Sequence, residues 1–189
     1  RKEIAGFRTN IRREQSCSIK SLTRDYLYKQ LLSSGEYTFD HMLVIKDPYG
    51  EAPLTALALF ILEEPACVRV TTKGNLKETD FVTELPKKKE HRVPILGMYA
   101  EKANDIVIEI LDDEGNCVKS HTFTIRTKRL PKSLRNVITV KKWTDKPAYS
   151  NIMINGGVKI HTCVFDIEGK IRYYLSRKPR GYGIFPLSD

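Results

Sequence analysis

The histidines and cysteines of this chain could bind a metal or act as nucleophiles, and both sets are scattered. They stand at His41, His91, His121 and His161 and at Cys17, Cys67, Cys117 and Cys163. No pair has the close spacing of Cys-x-x-Cys or His-Glu-x-x-His that zinc and thiol redox sites require. We therefore expect buried free thiols and structural histidines, and we predict no metal and no cofactor.

An acidic run at residues 112–116 has a superficial likeness to a calcium loop. Its sequence is Asp112-Asp113-Glu114-Gly115-Asn116. It lacks a glutamate at the spacing that would give the bidentate ligand of such loops. Strongly β-type runs flank it at 104–111 and 117–127, so the run is interpreted as the turn of a β-hairpin.

The formal net charge of +9 could steer the chain towards nucleic acid or another anionic partner. The basic runs are Lys87-Lys88-Lys89, Lys128-Arg129 with Lys132, and Arg177-Lys178-Pro179-Arg180, and the prolines in or beside them predict loops. Neither aromatic residues interleaved with this charge nor a groove-reading helix is evident, so we predict no nucleic-acid partner. The charge is interpreted as a solvated surface, with attraction of anionic substrates as the alternative.

The composition is that of an ordinary globular protein, with 41% hydrophobic and 29% charged residues in 189. No apolar run approaches the roughly 18 residues of a membrane-spanning helix, and no secretory signal is visible. The first residue is Arg1 and not methionine, so the missing signal does not identify the compartment.

A rigid turn followed by a wholly apolar strand dominates the first half of the chain. Pro48 fixes its own φ and favours extended geometry at Asp47, and Gly50 can take positive φ. After Pro53, an apolar run over 54–62 is broken only by a threonine. Its length and flanking prolines predict a strand that is buried on both faces.

The remaining pattern predicts an all-β chain with one helix near its start. Apolar positions near helical spacing over 21–32, namely Leu22, Tyr26, Leu27, Leu31 and Leu32, predict a short amphipathic helix that packs on the domain's own sheet. Short strands are predicted at 37–46, 54–62, 66–73, 79–85, 91–99, 104–111 and 117–127. About seven strands with frequent turn signals predict a β-sandwich of immunoglobulin or fibronectin type.

The domain organisation follows from these elements and from a change in composition after residue 127. We expect an amino-terminal arm and helix at 1–35, the sandwich at 36–127, a basic linker at 128–149 and a further β-domain at 150–189. The last segment predicts four closely spaced antiparallel strands, at 152–154, 158–166, 171–175 and 182–187, the size of one propeller blade. Because one blade cannot bury its own faces, we expect the sequence to end inside a larger repeat domain.

Three blocks of this sequence resemble the bacterial aryl-sulfate sulfotransferases, a family that needs no nucleotide sulfate donor. The blocks are Asp47-Pro48-Tyr49-Gly50-Glu51-Ala52-Pro53-Leu54-Thr55-Ala56-Leu57, His91-Arg92-Val93-Pro94-Ile95-Leu96-Gly97-Met98-Tyr99, and Phe165-Asp166-Ile167-Glu168-Gly169-Lys170-Ile171-Arg172-Tyr173-Tyr174-Leu175. The positions taken as the structural motif are Asp47, Pro48, Tyr49, Gly50, Pro53, Leu54, Pro94, Gly97, Tyr99, Asp166, Gly169, Arg172 and Tyr174. Asp47, Met98 and Tyr173 stand where the family has asparagine, leucine and tryptophan.

The resemblance implies an extracytoplasmic, often periplasmic, homodimeric enzyme that moves a sulfuryl group from a phenolic sulfate ester to a phenol. In such enzymes a propeller histidine is transiently sulfated, while other histidines and an arginine stabilise the transferred group. None of the four histidines of this chain matches those positions, so no catalytic residue is assigned. This chain would then be a noncatalytic structural or dimerisation module. The alternative is a non-enzymatic immunoglobulin-like binding or adhesion module.

Overall fold

The computed structural model describes residues 22–136, 138–139, 151–154 and 161–176, with the backbone path alone at 151–154. A single helix, α1, spans residues 22–33 of this part. The strands are β1 Leu43–Lys46, β2 Ala56–Thr72, β3 Phe81–Ile95, β4 Ala103–Leu111, β5 Cys117–Arg126, β6 Asn151–Ile154, β7 Cys163–Asp166 and β8 Ile171–Tyr174. Single 3₁₀ turns lie at Lys77–Thr79 and Lys132–Leu134. The predicted all-β fold with one short amino-terminal helix is confirmed.

Strand β2 organises the first sheet. One of its edges pairs with β3 along almost its whole length, and the other pairs with β1 near its start and with β4 near its end. Strand β5 completes this sheet beside β4, and β6, β7 and β8 form a separate sheet. Every one of these strand pairings is antiparallel.

Two pairs of predicted strands are single bent strands in the structure. The segment Glu63-Glu64-Pro65, predicted to end a strand, lies inside β2 where the register shifts between Ile61 and Val68. Lys87-Lys88-Lys89, predicted to be a loop, lies inside β3. Bulges bend a strand without ending it, and they tolerate a proline that cannot donate to the ladder. The seven short strands predicted for 37–127 are therefore five, of which two are long.

The apolar run at the start of β2 is buried on both faces, as predicted. Ala58 and Phe60 are fully buried in the main core, which also contains Ile106 and Ile108 of β4. The opposite face of β2 presents Leu57 and Leu59 to a smaller cluster under α1. Burial on both faces explains why this run at the start of β2 has no alternation of polar and apolar residues.

Helix α1 packs on β2 through its last turns only. Tyr28 and Leu32 are 4% and 3% exposed and contact the face of Leu57 and Leu59. The prediction that the whole stripe packs on the sheet is wrong for three of its members, because Leu22, Tyr26 and Leu27 are 67%, 67% and 52% exposed. The stripe identified a helix, but the buried face also includes Tyr28, which the stripe omitted.

The β4–β5 hairpin and its acidic turn are confirmed. One carboxylate oxygen of Asp112 accepts hydrogen bonds from the backbone N–H groups of Glu114 and Asn116, at 3.0 and 2.7 Å. Gly115 lies in the left-handed region with φ +84°, which a glycine adopts without steric cost. The acidic side chain therefore serves the turn itself.

Several further predictions fall wholly or partly outside the described residues. The arm before residue 22, with Cys17, the basic run Arg177–Arg180 and the fourth strand at 182–187 lie outside them. The other three cysteines are free thiols. Cys163 is buried, as expected, but Cys117 is exposed because it opens β5 directly after the turn. The domain limits at 35, 127 and 149 stay predictions.

His91 of β3 offers a pH test of the core. It is 2% exposed and stacks on Phe60 with ring centroids 5.3 Å apart, and its Nε2 lies 2.8 Å from the carbonyl oxygen of Lys88. Burial lowers the pKa of this imidazole. Since the unfolded chain then binds a proton that the folded chain does not, stability falls as the pH drops below about 6.5, the ordinary histidine pKa.

We predict that the free energy of unfolding falls by up to about 1.4 kcal/mol per pH unit from this group, and that His91→Gln removes that component. Urea unfolding across the range from neutral to mildly acidic pH measures the difference between the two proteins. His41→Gln, at an exposed site, is the matched control and keeps the full dependence. Parallel pH profiles for the wild type and His91→Gln would contradict the prediction.

Candidate functional site

Residues of the second and third sequence blocks meet between the two sheets, around the buried side chain of Arg172. This arginine of β8 is 1% exposed. Its Nε donates to the carbonyl oxygen of Gly97 at 2.6 Å, and its Nη1 donates to the carbonyl oxygen of Thr79 at 2.7 Å. Both acceptors belong to the segments that flank β3. The second sheet is thus hydrogen-bonded to the backbone of the first.

Asp166, at the end of β7, neutralises this arginine. It is fully buried, and its Oδ2 lies 3.2 Å from Arg172 Nη1. Its Oδ1 accepts the backbone N–H groups of Glu168 and Lys170, each at 3.0 Å. Gly169 completes this turn with φ +75°. The Asp166 carboxylate therefore stabilises the β7–β8 turn and also forms an ion pair with Arg172, which follows that turn.

Tyr99 connects these charges to the first sheet. Its hydroxyl donates to Asp166 Oδ2 at 2.9 Å and accepts hydrogen bonds from Arg172 Nη1 at 3.0 Å and from the backbone N–H of Asn75 at 3.1 Å. The guanidinium carbon lies 4.0 Å from the centroid of the Tyr99 ring, which adds a cation–π contact. Burial raises the pKa of Tyr99, so the phenol keeps the proton that it donates. We refer to Tyr99, Asp166, Arg172 and the two carbonyl acceptors as the Arg172 junction.

The backbone of Tyr99 is itself fixed by buried polar groups. The Asn104 amide accepts the Tyr99 N–H at 2.7 Å and donates to the Tyr99 carbonyl oxygen at 3.0 Å. The Thr127 hydroxyl donates to the same carbonyl at 2.5 Å. Asn104 is 1% exposed, so both of its functional groups depend on these partners. The tyrosine is held in place before it meets the second sheet.

The charge arrangement makes this junction costly to break. Loss of one partner of a buried ion pair commonly costs about 3–5 kcal/mol, because the other charge is left without compensation. Here the loss of the guanidinium would also leave the carbonyl oxygens of Gly97 and Thr79 without the hydrogen bonds that they accept from it. Arg172 Nη2 has no hydrogen-bond partner in the described part of the chain, so the arginine already carries one unmet group. The geometry is that of a clamp between sheets.

The first sequence block forms a tight turn before β2. Gly50 has φ +74°, as predicted, and its N–H donates to the Asp47 carbonyl oxygen at 2.9 Å. The expectation of extended geometry at Asp47 is wrong, since its φ is +47°. The side chain explains this, because its Oδ1 accepts the Ala52 N–H at 2.9 Å, and aspartate tolerates the left-handed region when it bonds its own turn.

Helix α1 binds the outer face of this turn. The Tyr28 hydroxyl donates to the Pro48 carbonyl oxygen at 2.6 Å. The Tyr49 hydroxyl donates to Asp25 at 2.7 Å, and Arg92 of β3 donates to the same carboxylate at 2.5 Å. The bonds from Tyr49 and Arg92 lower the pKa of Asp25. The turn is therefore attached to both α1 and β3.

The same turn contacts the second sheet on its other side. The Ser176 N–H donates to the Glu51 carbonyl oxygen at 2.8 Å. Leu54, 1% exposed, belongs to the same core cluster as Tyr174 of β8. Pro53 is half-buried beside it, and Pro94 lies in β3 opposite Leu57. The first block thus joins the second and third blocks at the contact between the sheets.

Sequence reasoning missed several members of this site. Asn75, Thr79, Asn104 and Thr127 carry no motif, and their roles depend on contacts with residues distant in the chain. Asn104 alone had a usable signal, as a polar residue at the start of a strongly apolar strand. Among the described residues, no group of histidine, cysteine and acidic side chains could hold a metal ion. In the same part of the chain, no helix is long and apolar enough to cross a membrane.

Gly97 provides a test of how tightly the junction is built. Its φ is +74°, and a Cβ at this position would lie 2.7 Å from Cβ of Phe81. Gly115 has a similar φ of +84° but open space around it, so it is a matched control. We predict that Gly115→Ala costs about 1–2 kcal/mol of unfolding free energy through φ alone. Gly97→Ala should cost about 1–3 kcal/mol more through overpacking, as measured by urea unfolding. Equal losses would contradict the close packing described here.

Comparison with known families identifies the first sheet. A family model for the arylsulfotransferase Ig-like domain matches residues 43–128, from the start of β1 to just past the end of β5. A search of curated proteins found no match to the chain. The match includes two of the three sequence blocks and the Tyr99 end of the Arg172 junction. Residues 43–128 of this chain are therefore an immunoglobulin-like domain of the arylsulfotransferase family.

Proposed function

We propose that this chain is the amino-terminal portion of an aryl-sulfate sulfotransferase and that its immunoglobulin-like domain is a noncatalytic brace for the catalytic domain. The observation that carries the proposal is the family match at residues 43–128. The Arg172 junction supports it, since residues of the family-like blocks connect that domain to β7 and β8. The sheet β6–β8 would then be the start of a β-propeller.

The proposed reaction transfers a sulfuryl group from a phenolic sulfate ester to a phenol through a sulfated histidine. An imidazole nucleophile divides one difficult transfer into two easier steps, and cationic donors stabilise the charge on the sulfonyl oxygens. Two of the histidines that the structure describes make structural contacts. Nδ1 of His161 lies 2.7 Å from the Leu175 carbonyl oxygen, and His121 packs against Phe39 and Phe123. We assign the nucleophile to residues beyond those described.

The brace acts by fixing the first strands of the catalytic domain. A reacting histidine must be positioned to within a fraction of an ångström, so the sheet that carries the site benefits from a rigid support. The junction supplies that support through short hydrogen bonds with almost no exposed atoms. In the parent enzyme we expect an extracytoplasmic, often periplasmic, location and a homodimer in which the brace participates.

The proposal is tested by comparing this chain with the product of the longest open reading frame that contains it. The 189-residue chain, incubated with 4-nitrophenyl sulfate and phenol, should release no 4-nitrophenolate above buffer. The longer product should release it in proportion to phenol, and acid quench during turnover should trap a sulfated histidine. Both reactions are followed by absorbance, with protein-free buffer as the control.

Two results would overturn the proposal. Turnover by the 189-residue chain would place the active site within these residues and remove the noncatalytic role. A reading frame that ends without further four-stranded repeats, or continues into an unrelated domain, would instead favour a binding or adhesion module.

A further inference from the structure

A pocket of about 330 Å³ lies where the segment after β5 passes the β7–β8 turn. Its walls come from Ala100 and Glu101 before β4, from five residues of the segment 129–136 together with Ile138, and from Gly169–Ile171. This volume is at the small end of ligand sites, and such sites occur preferentially between domains. The pocket is separate from the buried atoms of the Arg172 junction, although the β7–β8 turn borders both.

The charge around this pocket is strongly positive. Residues 126–136 contain five cationic side chains and no acidic one, at Arg126, Lys128, Arg129, Lys132 and Arg135. Two of the five line the pocket, and Lys170 of the β7–β8 turn lines it as well. Glu101 is the one carboxylate among the described lining residues, and it pairs with Arg129 at 3.2 Å. The lining therefore keeps two positive charges in excess.

Arg135 and Lys170 supply these uncompensated charges. Arg135 is half-buried, and its Nε donates to the Leu130 carbonyl oxygen at 2.9 Å, which orients the guanidinium plane. Neither Arg135 nor Lys170 has a carboxylate partner among the residues that the structure describes. An oriented guanidinium and an ammonium are the donors that bind oxyanions most strongly in proteins.

The pocket also has an apolar floor. Leu134 and Ile171 are 1% and 6% exposed, and both line it. Glu101 and Asn136, each with φ +57°, hold left-handed conformations at its rim. Left-handed non-glycine residues cost free energy and concentrate at ligand sites, and two of the three in the described residues lie here.

We infer that this pocket binds a small organic anion, in which a sulfate, sulfonate, phosphate or carboxylate group is attached to an apolar body. The oxyanion contacts Arg135 and Lys170, and the body rests on Leu134 and Ile171. Arg129 keeps its ion pair with Glu101, so it attracts the anion through its charge and does not contact it directly. This inference stands on the pocket alone and does not rest on the proposed sulfuryl transfer.

Isothermal titration calorimetry of the 189-residue chain tests the inference, with benzenesulfonate as the probe at low ionic strength. The expected result is saturable one-to-one binding that weakens as salt is added. Inorganic sulfate should bind more weakly, because it lacks the apolar body, and neutral benzyl alcohol should give no measurable heat. Inorganic sulfate binding as tightly as benzenesulfonate would overturn the assignment of the apolar floor.

Charge-removing variants locate the site. Lys170→Gln and Arg135→Gln should each weaken benzenesulfonate binding by at least about fivefold, the loss of one charged hydrogen bond. Arg126→Gln loses the same charge in the same basic run but does not line the pocket, so its affinity should stay within about twofold. Because Arg135 also holds the Leu130 carbonyl, the exposed Lys170 is the variant least coupled to folding, and the melting temperature of each is measured.

Two outcomes would overturn the site. The absence of saturable benzenesulfonate binding by the wild type would remove it outright. An equal loss of affinity in Arg126→Gln and Lys170→Gln would show that diffuse surface charge, and not the pocket, attracts the anion. Either outcome leaves the proposed sulfotransferase function untouched, so the two proposals fail separately.

Discussion

The burial of one arginine constrains how the two sheets of this protein fit together. Arg172 lies in β8, and most of its hydrogen-bond acceptors belong to the first domain. They are the carbonyl oxygens of Gly97 and Thr79 and the hydroxyl of Tyr99. A buried guanidinium tolerates few alternative arrangements, because its donors are fixed in one plane and each unmet donor is costly. Asp166 can neutralise this guanidinium only when the β7–β8 turn is formed, and Gly97 can accept its hydrogen bond only when the loop between β3 and β4 is formed.

The long bent strands explain how the first sheet reaches this contact. Strand β2 packs under α1 near its start and pairs with β4 near its end. Strand β3 pairs with β2 along its length, from Phe81 to Ile95. The loop after β3 then brings Gly97 and Tyr99 to the second sheet. Close packing of Gly97 on Phe81, at the opposite end of the same strand, ties the loop back to its own sheet. Any shift in β3 would therefore move the acceptors of Arg172.

The sequence predicted much of the fold and the approximate place of the site, but not how the site is held together. The apolar run in β2, the hairpin at Asp112 and the helix over 21–32 rest on local rules, and all three predictions are confirmed. Strand count was overestimated because charged and proline-containing stretches mark bulges as well as turns. The Arg172 junction was not predictable, since Thr79 and Arg172 lie 93 residues apart and no local sequence pattern indicates their contact.

The motif residues acquire a common explanation from the structure. Asp47, Tyr99 and Arg172 belong to three separated blocks, and each lies where the first sheet meets the second or where a turn supports that contact. In this chain, the three blocks therefore share a role in the contact between the two sheets. This fits a module whose task is positioning, as the proposed brace requires.

We expect the Arg172 junction to make the two sheets one cooperative unit, which native-state hydrogen exchange measures strand by strand. In the wild type, amides of β7 and β8 should exchange with nearly the same opening free energy as those of β2 and β4. In Arg172→Gln, the β7 and β8 amides should lose about 3–5 kcal/mol of protection while those of β2 and β4 retain theirs. Weak protection of β7 and β8 already in the wild type, or unchanged protection in the variant, would contradict the claim.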